Sequence, residues 1–185
     1  DEEVRKKFNK EILKKGFSEN QISYLEHHTS HAWSAFACSP FDDAYIFTFD
    51  GRGDFKSSSF YYYNKKIGMK ELNFQLTIDS VGYLYSQITN YLGFTPFRHE
   101  GKVTGLAAYG NYKKTIKIFK NLIIFRDGDF ISNLGYFNPF TTPSKKLTLD
   151  LNKFSREDIA AGLQLHCENL LSSYVKYWIK KTGYK

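Results

Sequence analysis

Glu26-His27-His28-Thr29-Ser30-His31-Ala32-Trp33-Ser34-Ala35-Phe36 places three of the chain's five histidines within five residues. On a helix, residues four apart share a face, so His27 and His31 would stack their imidazoles side by side. A short helix can grip one divalent metal by that spacing. Nineteen residues past His31, Asp50 follows the apolar run Ala44-Tyr45-Ile46-Phe47-Thr48-Phe49. A strand ending there, in the glycine turn Asp50-Gly51-Arg52-Gly53-Asp54, would offer a third, oxygen ligand. Two histidines and a carboxylate leave positions open for water or substrate, as catalytic metal sites do. The same pattern also fits histidines that only pack. His28 points away from the pair on a helix. It is either a second functional group, such as a proton carrier or phosphate contact, or a satisfied interior side chain.

Upstream, residues 1–16 read as a charged helix with Val4, Phe8, Ile12 and Leu13 as a thin apolar stripe and Gly16 as its stop. Ser18-Glu19-Asn20-Gln21 is a capping box or a loop into a short strand at 22–26, where apolar and polar residues alternate. In that case Thr29 or Ser30 would cap the histidine helix. The helix runs to Cys38 and is ended by Ser39-Pro40-Phe41.

Downstream the period becomes two. Ala44–Phe49 is apolar on both faces and therefore predicts a central strand. Further strands at 57–63 and around 67–76 complete an antiparallel meander. In its glycine turn, Gly51 and Gly53 either let backbone amides approach a phosphate or form an ordinary hairpin loop. Residues 79–93 return to helical period, capped by Asp79 or Ser80 and ended by Gly93. Then comes Glu100-Gly101-Lys102-Val103-Thr104-Gly105. Here Lys102 would neutralise phosphate and Glu100 would hold a ribose or a metal-bound water, unless the two simply pair with each other. The stretch 113–152, with a hairpin at Asp127-Gly128-Asp129, reads as a shape-giving insert. Ser155 and Asp158 cap a final long helix carrying His166, with Gly183 past its end.

Of 185 residues, 42% are hydrophobic and 18% aromatic, enough for a packed core and against a disordered chain. The net charge of +7 is scattered in doublets such as Lys65-Lys66 and Lys113-Lys114. It suits anions, nucleotides included, more than a dedicated nucleic-acid surface. No apolar run has membrane-spanning length, and no signal peptide is visible. Cys38 and Cys167 lie in apolar helical contexts and read as buried free thiols of a reducing, cytoplasmic compartment.

Four blocks, HHTSHAWSAFACSPFDDAYIFTFDGRGD (27–54), DSVGYLYSQITNYLGF (79–94), EGKVTGLAAYG (100–110) and DIAAGLQLHCENLL (158–171), occur in one order and spacing. Together they resemble the O-carbamoyltransferases, both the nodulation and the antibiotic-tailoring enzymes. The resemblance implies an α/β (α+β) chain: part of an actin-like ATPase, ribonuclease-H-like fold, with a mixed sheet flanked by helices. Residues 1–41 would end a first lobe, and 42–185 would form most of a second. It implies a divalent metal, Fe2+ above others, held by His27, His31 and Asp50. Gly51 and Gly53 would belong to a phosphate loop, Glu100 and Lys102 to a nucleotide-lining block, and His28 to the motif's paired histidine. The implied partners are carbamoyl phosphate, ATP with its carbamoyl-adenylate, and a small hydroxyl acceptor such as a sugar, nodulation factor or antibiotic. The family's opening phosphate loop and its later glycine-rich nucleotide loop have no counterpart here. The chain, which opens on Asp1, is therefore expected to be a segment that is inactive alone. Two other readings stand beside this one: the related tRNA threonylcarbamoyl transferases, and a basic nucleotide- or nucleic-acid-binding module.

Overall fold

A computed structural model describes residues 2–183; Asp1 and the last two residues of the expected second lobe, 184–185, lie outside it. The first helix, α1 (Glu2–Lys14), begins with Glu2 and Glu3 and ends with Lys14, so its side-chain charges oppose the helix dipole. None of its residues is buried. Gln21 accepts the Ser18 N–H at 2.8 Å, as a capping box requires. The strand expected at 22–26 is absent, because this segment has no neighbouring strand to pair with. Helix α2 (His27–Ala37) follows. Its cap is Glu26 rather than Thr29 or Ser30: the Glu26 carboxylate accepts from Thr29 N at 2.7 Å and from Thr29 Oγ1 at 2.9 Å.

Strands β1 (Asp43–Gly53), β2 (Lys56–Asn64) and β3 (Gly68–Leu76) form an antiparallel sheet in the order β1-β2-β3. The expectation of a central first strand is corrected here, since β2 holds the middle. Both faces of β1 are apolar because both are covered. Ile46 packs with Ala32 of α2 and Tyr61 on one side, while Tyr45 and Phe47 join the main core on the other. Burial of the faces reports what lies above and below a strand, not its place in the ladder. The reversal into β2 is also displaced from the expected 50–54. It is a two-residue loop at Asp54 (φ 48°) and Phe55 (φ 74°), both left-handed, as a type I′ hairpin demands. Residues 50–53 stay in β1, and the register slips between Phe49 and Gly53, so Asp50 sits in a bulged stretch.

Helices α3 (Val81–Tyr91) and α4 (Glu100–Ala107) come next, then α5 (Ile116–Phe119), the antiparallel hairpin β4 (Ile123–Arg126) and β5 (Asp129–Ser132), α6 (Lys145–Leu151) and α7 (Arg156–Thr182). Sheet pairing among the described residues is antiparallel throughout, in two sheets, within an α+β chain. Ser80 caps α3 by accepting from Tyr83 N at 3.0 Å, and Ser155 caps α7 by accepting from Asp158 N at 3.2 Å.

One main core joins Phe60 of β2, Leu84 and Ile88 of α3, and Leu163, Leu170 and Tyr174 of α7. Phe119, Leu122, Ile123, Phe130, Leu147 and Leu151 belong to the same core and are fully or almost fully buried. The segment 113–152 is thus part of the core and not an added insert. Each such side chain contributes about 1.5–3 kcal/mol by leaving water. Cys167 is buried as expected, but Cys38, just past the end of α2, is exposed. No helix among the described residues is long and apolar enough to cross a membrane.

Candidate metal centre and adjoining cleft

The capped N-terminus of α2 lies across the bulged end of β1. His27 Nε2 is 2.8 Å from Asp50 Oδ2, His31 Nε2 is 3.6 Å from the same oxygen, and the two imidazole nitrogens are 3.0 Å apart. Protons satisfy this triangle poorly. His27 Nε2 carries at most one hydrogen, yet it faces both a carboxylate oxygen and a second ring nitrogen. A cation satisfies it well: with metal–ligand bonds of about 2.0–2.2 Å, neighbouring ligand atoms lie about 3–3.5 Å apart. Two imidazoles and a carboxylate are donors that could hold a divalent transition metal.

The surroundings fix this geometry. Gly51 N–H donates to Asp50 Oδ1 at 2.6 Å, leaving Oδ2 for the histidines. The Gly51 amide is thus committed to its neighbour's carboxylate. Gly53 does a different job: a Cβ built there would lie 2.6 Å from His27 Nε2 and closer still to the ring carbons, so the bare backbone makes room for the imidazole. Partial burial works against an ionised Asp50. The His27 hydrogen bond, the Gly51 amide and the neighbouring imidazoles outweigh it and hold the carboxyl below its ordinary range. His28 has no exposed surface. Its Nδ1 is 2.9 Å from Thr48 Oγ1, and its ring centroid is 5.2 Å from that of His27. Burial keeps it neutral by pushing its pKa down.

From Asp50 a cleft of about 500 Å³ runs along α3 and α4, with Gly51, Gly82, Tyr85, Ser86 and Glu100 among its walls. Glu100 accepts from Ser86 Oγ at 2.8 Å and from Phe97 N at 2.6 Å. Partial burial opposes its charged form, but these donors prevail and keep the carboxyl below its ordinary value. The structure therefore brings His27, His31, Asp50, Gly51 and Glu100 to one region. Gly53 lies behind His27, and His28 lies beneath the pair. Lys102 is exposed, with its Nζ 6.0 Å from the Phe94 ring centroid, and forms no ion pair with Glu100 among the described residues.

Three contributors escape a reading of the sequence. Asp54 Oδ2 accepts the His27 N–H at 3.1 Å, so a second carboxylate besides Glu26 anchors the start of α2. Gly82 lets α3 touch β1, since a Cβ there would lie 2.7 Å from Asp50 O. Ser80 Oγ donates to Gly51 O at 2.7 Å.

The sequence matches the family described as "Carbamoyltransferase N-terminus" over residues 3–184. It is 35% identical over 191 residues to an uncharacterised protein of Synechocystis, covering 90% of this chain and 31% of that one. It is 32% identical over 169 residues to nodulation protein NolNO of Sinorhizobium fredii, covering 90% of this chain and 25% of the relative. For nodulation protein NolO of Bradyrhizobium diazoefficiens the identity is 29% over 162 residues, covering 86% and 29%. The chain spans about a quarter to a third of the length of these curated relatives. With a match running over nearly all its residues, the chain belongs to the carbamoyltransferase N-terminus family.

Proposed function

We propose that the chain forms the metal-binding part of an O-carbamoyltransferase, which moves a carbamoyl group from carbamoyl phosphate, through an ATP-derived carbamoyl-adenylate, to a hydroxyl of a small acceptor. The observation that carries this reading is the convergence of His27, His31 and Asp50 within ligand-edge distances at the mouth of the cleft containing Glu100. Family membership supports the transferase class.

His27, His31 and Asp50 would hold a divalent cation, Fe2+ being the one the family resemblance implies. Once bound, such an ion polarises a carbonyl or phosphoryl oxygen as a Lewis acid. Transfer needs the acceptor oxygen to bond to the carbamoyl carbon while the bond to the departing adenylate oxygen breaks. The acceptor must also lose its hydroxyl proton. In this reading Glu100, kept ionised by Ser86 and Phe97, is the cleft carboxylate that accepts that hydrogen. Gly51 and Gly53 serve the ligands, one by orienting Asp50 and the other by admitting His27. His28, without exposed surface, seats α2 against β1 through Thr48. Lys102 is left to attract anions toward the cleft from its rim.

The test is metal content of the intact protein, with and without His27→Ala plus His31→Ala. Stoichiometric iron or zinc in the parent, lost in the double variant at unchanged fold, is expected. Equal metal in both would overturn the site. Salt-dependent binding to random DNA, indifferent to nucleotide, would favour the binding-module reading instead.

A further inference from the structure

The turn from β1 into β2 is strained, and packing of its own side chains does not explain why. Phe55 takes φ 74°, a left-handed conformation unfavourable for an aromatic residue, yet its side chain is out in water, with 84% of the residue exposed. The backbone is pinned instead: Phe55 O accepts from Thr77 N at 2.8 Å and from Thr77 Oγ1 at 2.7 Å. What the turn achieves is to bring the residues on either side of Phe55 to the start of α2. Asp54 takes the His27 N–H, and Lys56 Nζ lies 3.9 Å from Glu26 Oε1.

Lys56 does not sit as a solvated surface lysine does. Its side chain keeps only 17% of its exposure. Its Nζ donates to Glu71 Oε1 on β3 at 2.6 Å and stands 4.9 Å from the centroid of the Phe74 ring. Held on that side, the ammonium faces Glu26 on the other. Glu26 Oε2 is occupied by the cap of α2, accepting from Thr29 N and Thr29 Oγ1. Glu26 Oε1 is buried and has no hydrogen-bond partner among the described residues, so the Lys56 charge is what faces it. Without that charge the carboxylate gains by turning to water, which releases the cap. Release reaches the neighbouring His27, because Glu26 O opens the helix by accepting the Ser30 N–H at 2.9 Å.

We propose that Lys56 is a positioning residue of the candidate metal centre: pinned by Glu71, it holds Glu26 in its capping pose and so aims His27 at Asp50. The inference rests on the metal-binding reading above and adds to it a residue outside the ligand set. The sign of the charge separates this role from plain electrostatics. By Coulomb's law alone an ammonium nearby opposes a divalent cation, so its removal would tighten binding. A positioning residue gives the reverse.

The experiment measures zinc affinity of the intact protein by competition with a chelating dye, and reads the histidine rings by ¹⁵N NMR at saturating zinc. In Lys56→Met affinity is expected to fall roughly tenfold, as for other groups that support a metal ligand. The His27 ring should lose its metal-bound shift while the His31 ring keeps its own. Lys56→Arg, whose fork can span both carboxylates, is expected to return affinity to within about twofold of the parent. Unchanged or tighter binding in Lys56→Met, no recovery in Lys56→Arg, or equal effects on the two rings would each overturn the assignment. Thermal melts verify folding, and Lys56→Gln replaces Lys56→Met in the same comparisons should the latter unfold. A parent that binds zinc and is indifferent to Lys56 sinks only the positioning role, whereas a parent that takes no zinc sinks the metal centre itself.

Discussion

Replacing Gly53 by alanine should dismantle the proposed metal centre, although Gly53 contributes no ligand to it. The added Cβ would lie 2.6 Å from His27 Nε2 and nearer to the ring carbons. Non-bonded carbon and nitrogen atoms settle at about 3.5 Å, so the ring must withdraw by roughly 1 Å or more. Coordination bonds tolerate errors of about 0.2 Å, so the displaced imidazole leaves the ligand set and only His31 and Asp50 remain. Changes of supporting residues around metal ligands weaken binding about 10–100-fold, and loss of a ligand falls at the upper end of that range. Gly51→Ala is the control. A Cβ at Gly51 meets nothing nearer than 3.9 Å, from the Phe97 and Tyr83 rings, and should leave affinity within about twofold, near RT. Zinc competition against a chelating dye, with thermal melts to verify folding, reads both. If Gly53→Ala binds like the parent, or both glycine variants lose metal equally, the steric reasoning fails.

Asp54→Ala removes the acceptor for the His27 N–H and should weaken metal binding less than Gly53→Ala, by a few-fold, in the same competition assay. Burial pushes His166 down to about 4, so the folded protein keeps it neutral while the unfolded chain takes up a proton near 6.5. Stability contributed above pH 6.5 is therefore lost as pH falls toward 4, by roughly 3 kcal/mol at 1.36 kcal/mol per pH unit. His166→Gln should flatten that part of the denaturant-midpoint profile. Leu163→Ala, at a fully buried position, should lower unfolding free energy by about 2–5 kcal/mol in urea titrations. Of the two thiols, only Cys38 should react with a disulfide reagent in the folded protein, because burial pushes Cys167 up to about 12 and shields it. Two fast-reacting thiols would contradict the packing of α7.

Most elements were legible because their signals are local. Helical spacing and caps gave α3 and α7, and the Asp127-Gly128-Asp129 turn between short apolar runs gave the second hairpin. The proximity of His27, His31 and Asp50 was legible because the two histidines share a helix face and Asp50 ends an apolar run. What failed depends on contacts distant in sequence. The place of β1 in the ladder is set by which strand pairs beside it, and 22–26 alternates without a partner. The separate tasks of Gly51 and Gly53 follow from where the His27 ring lies, which a D-G-x-G pattern does not encode.

Helix α3 is seated on β1 at one end, where Gly82 abuts the Asp50 carbonyl and Ser80 bonds Gly51, while Ser86 stands further along it in the wall of the cleft. Such a rod acts as a lever. A ligand against Ser86 that moved α3 would move the Asp50–Gly51 backbone with it, and any resulting change in ion affinity would be matched by an equal change in that ligand's own affinity.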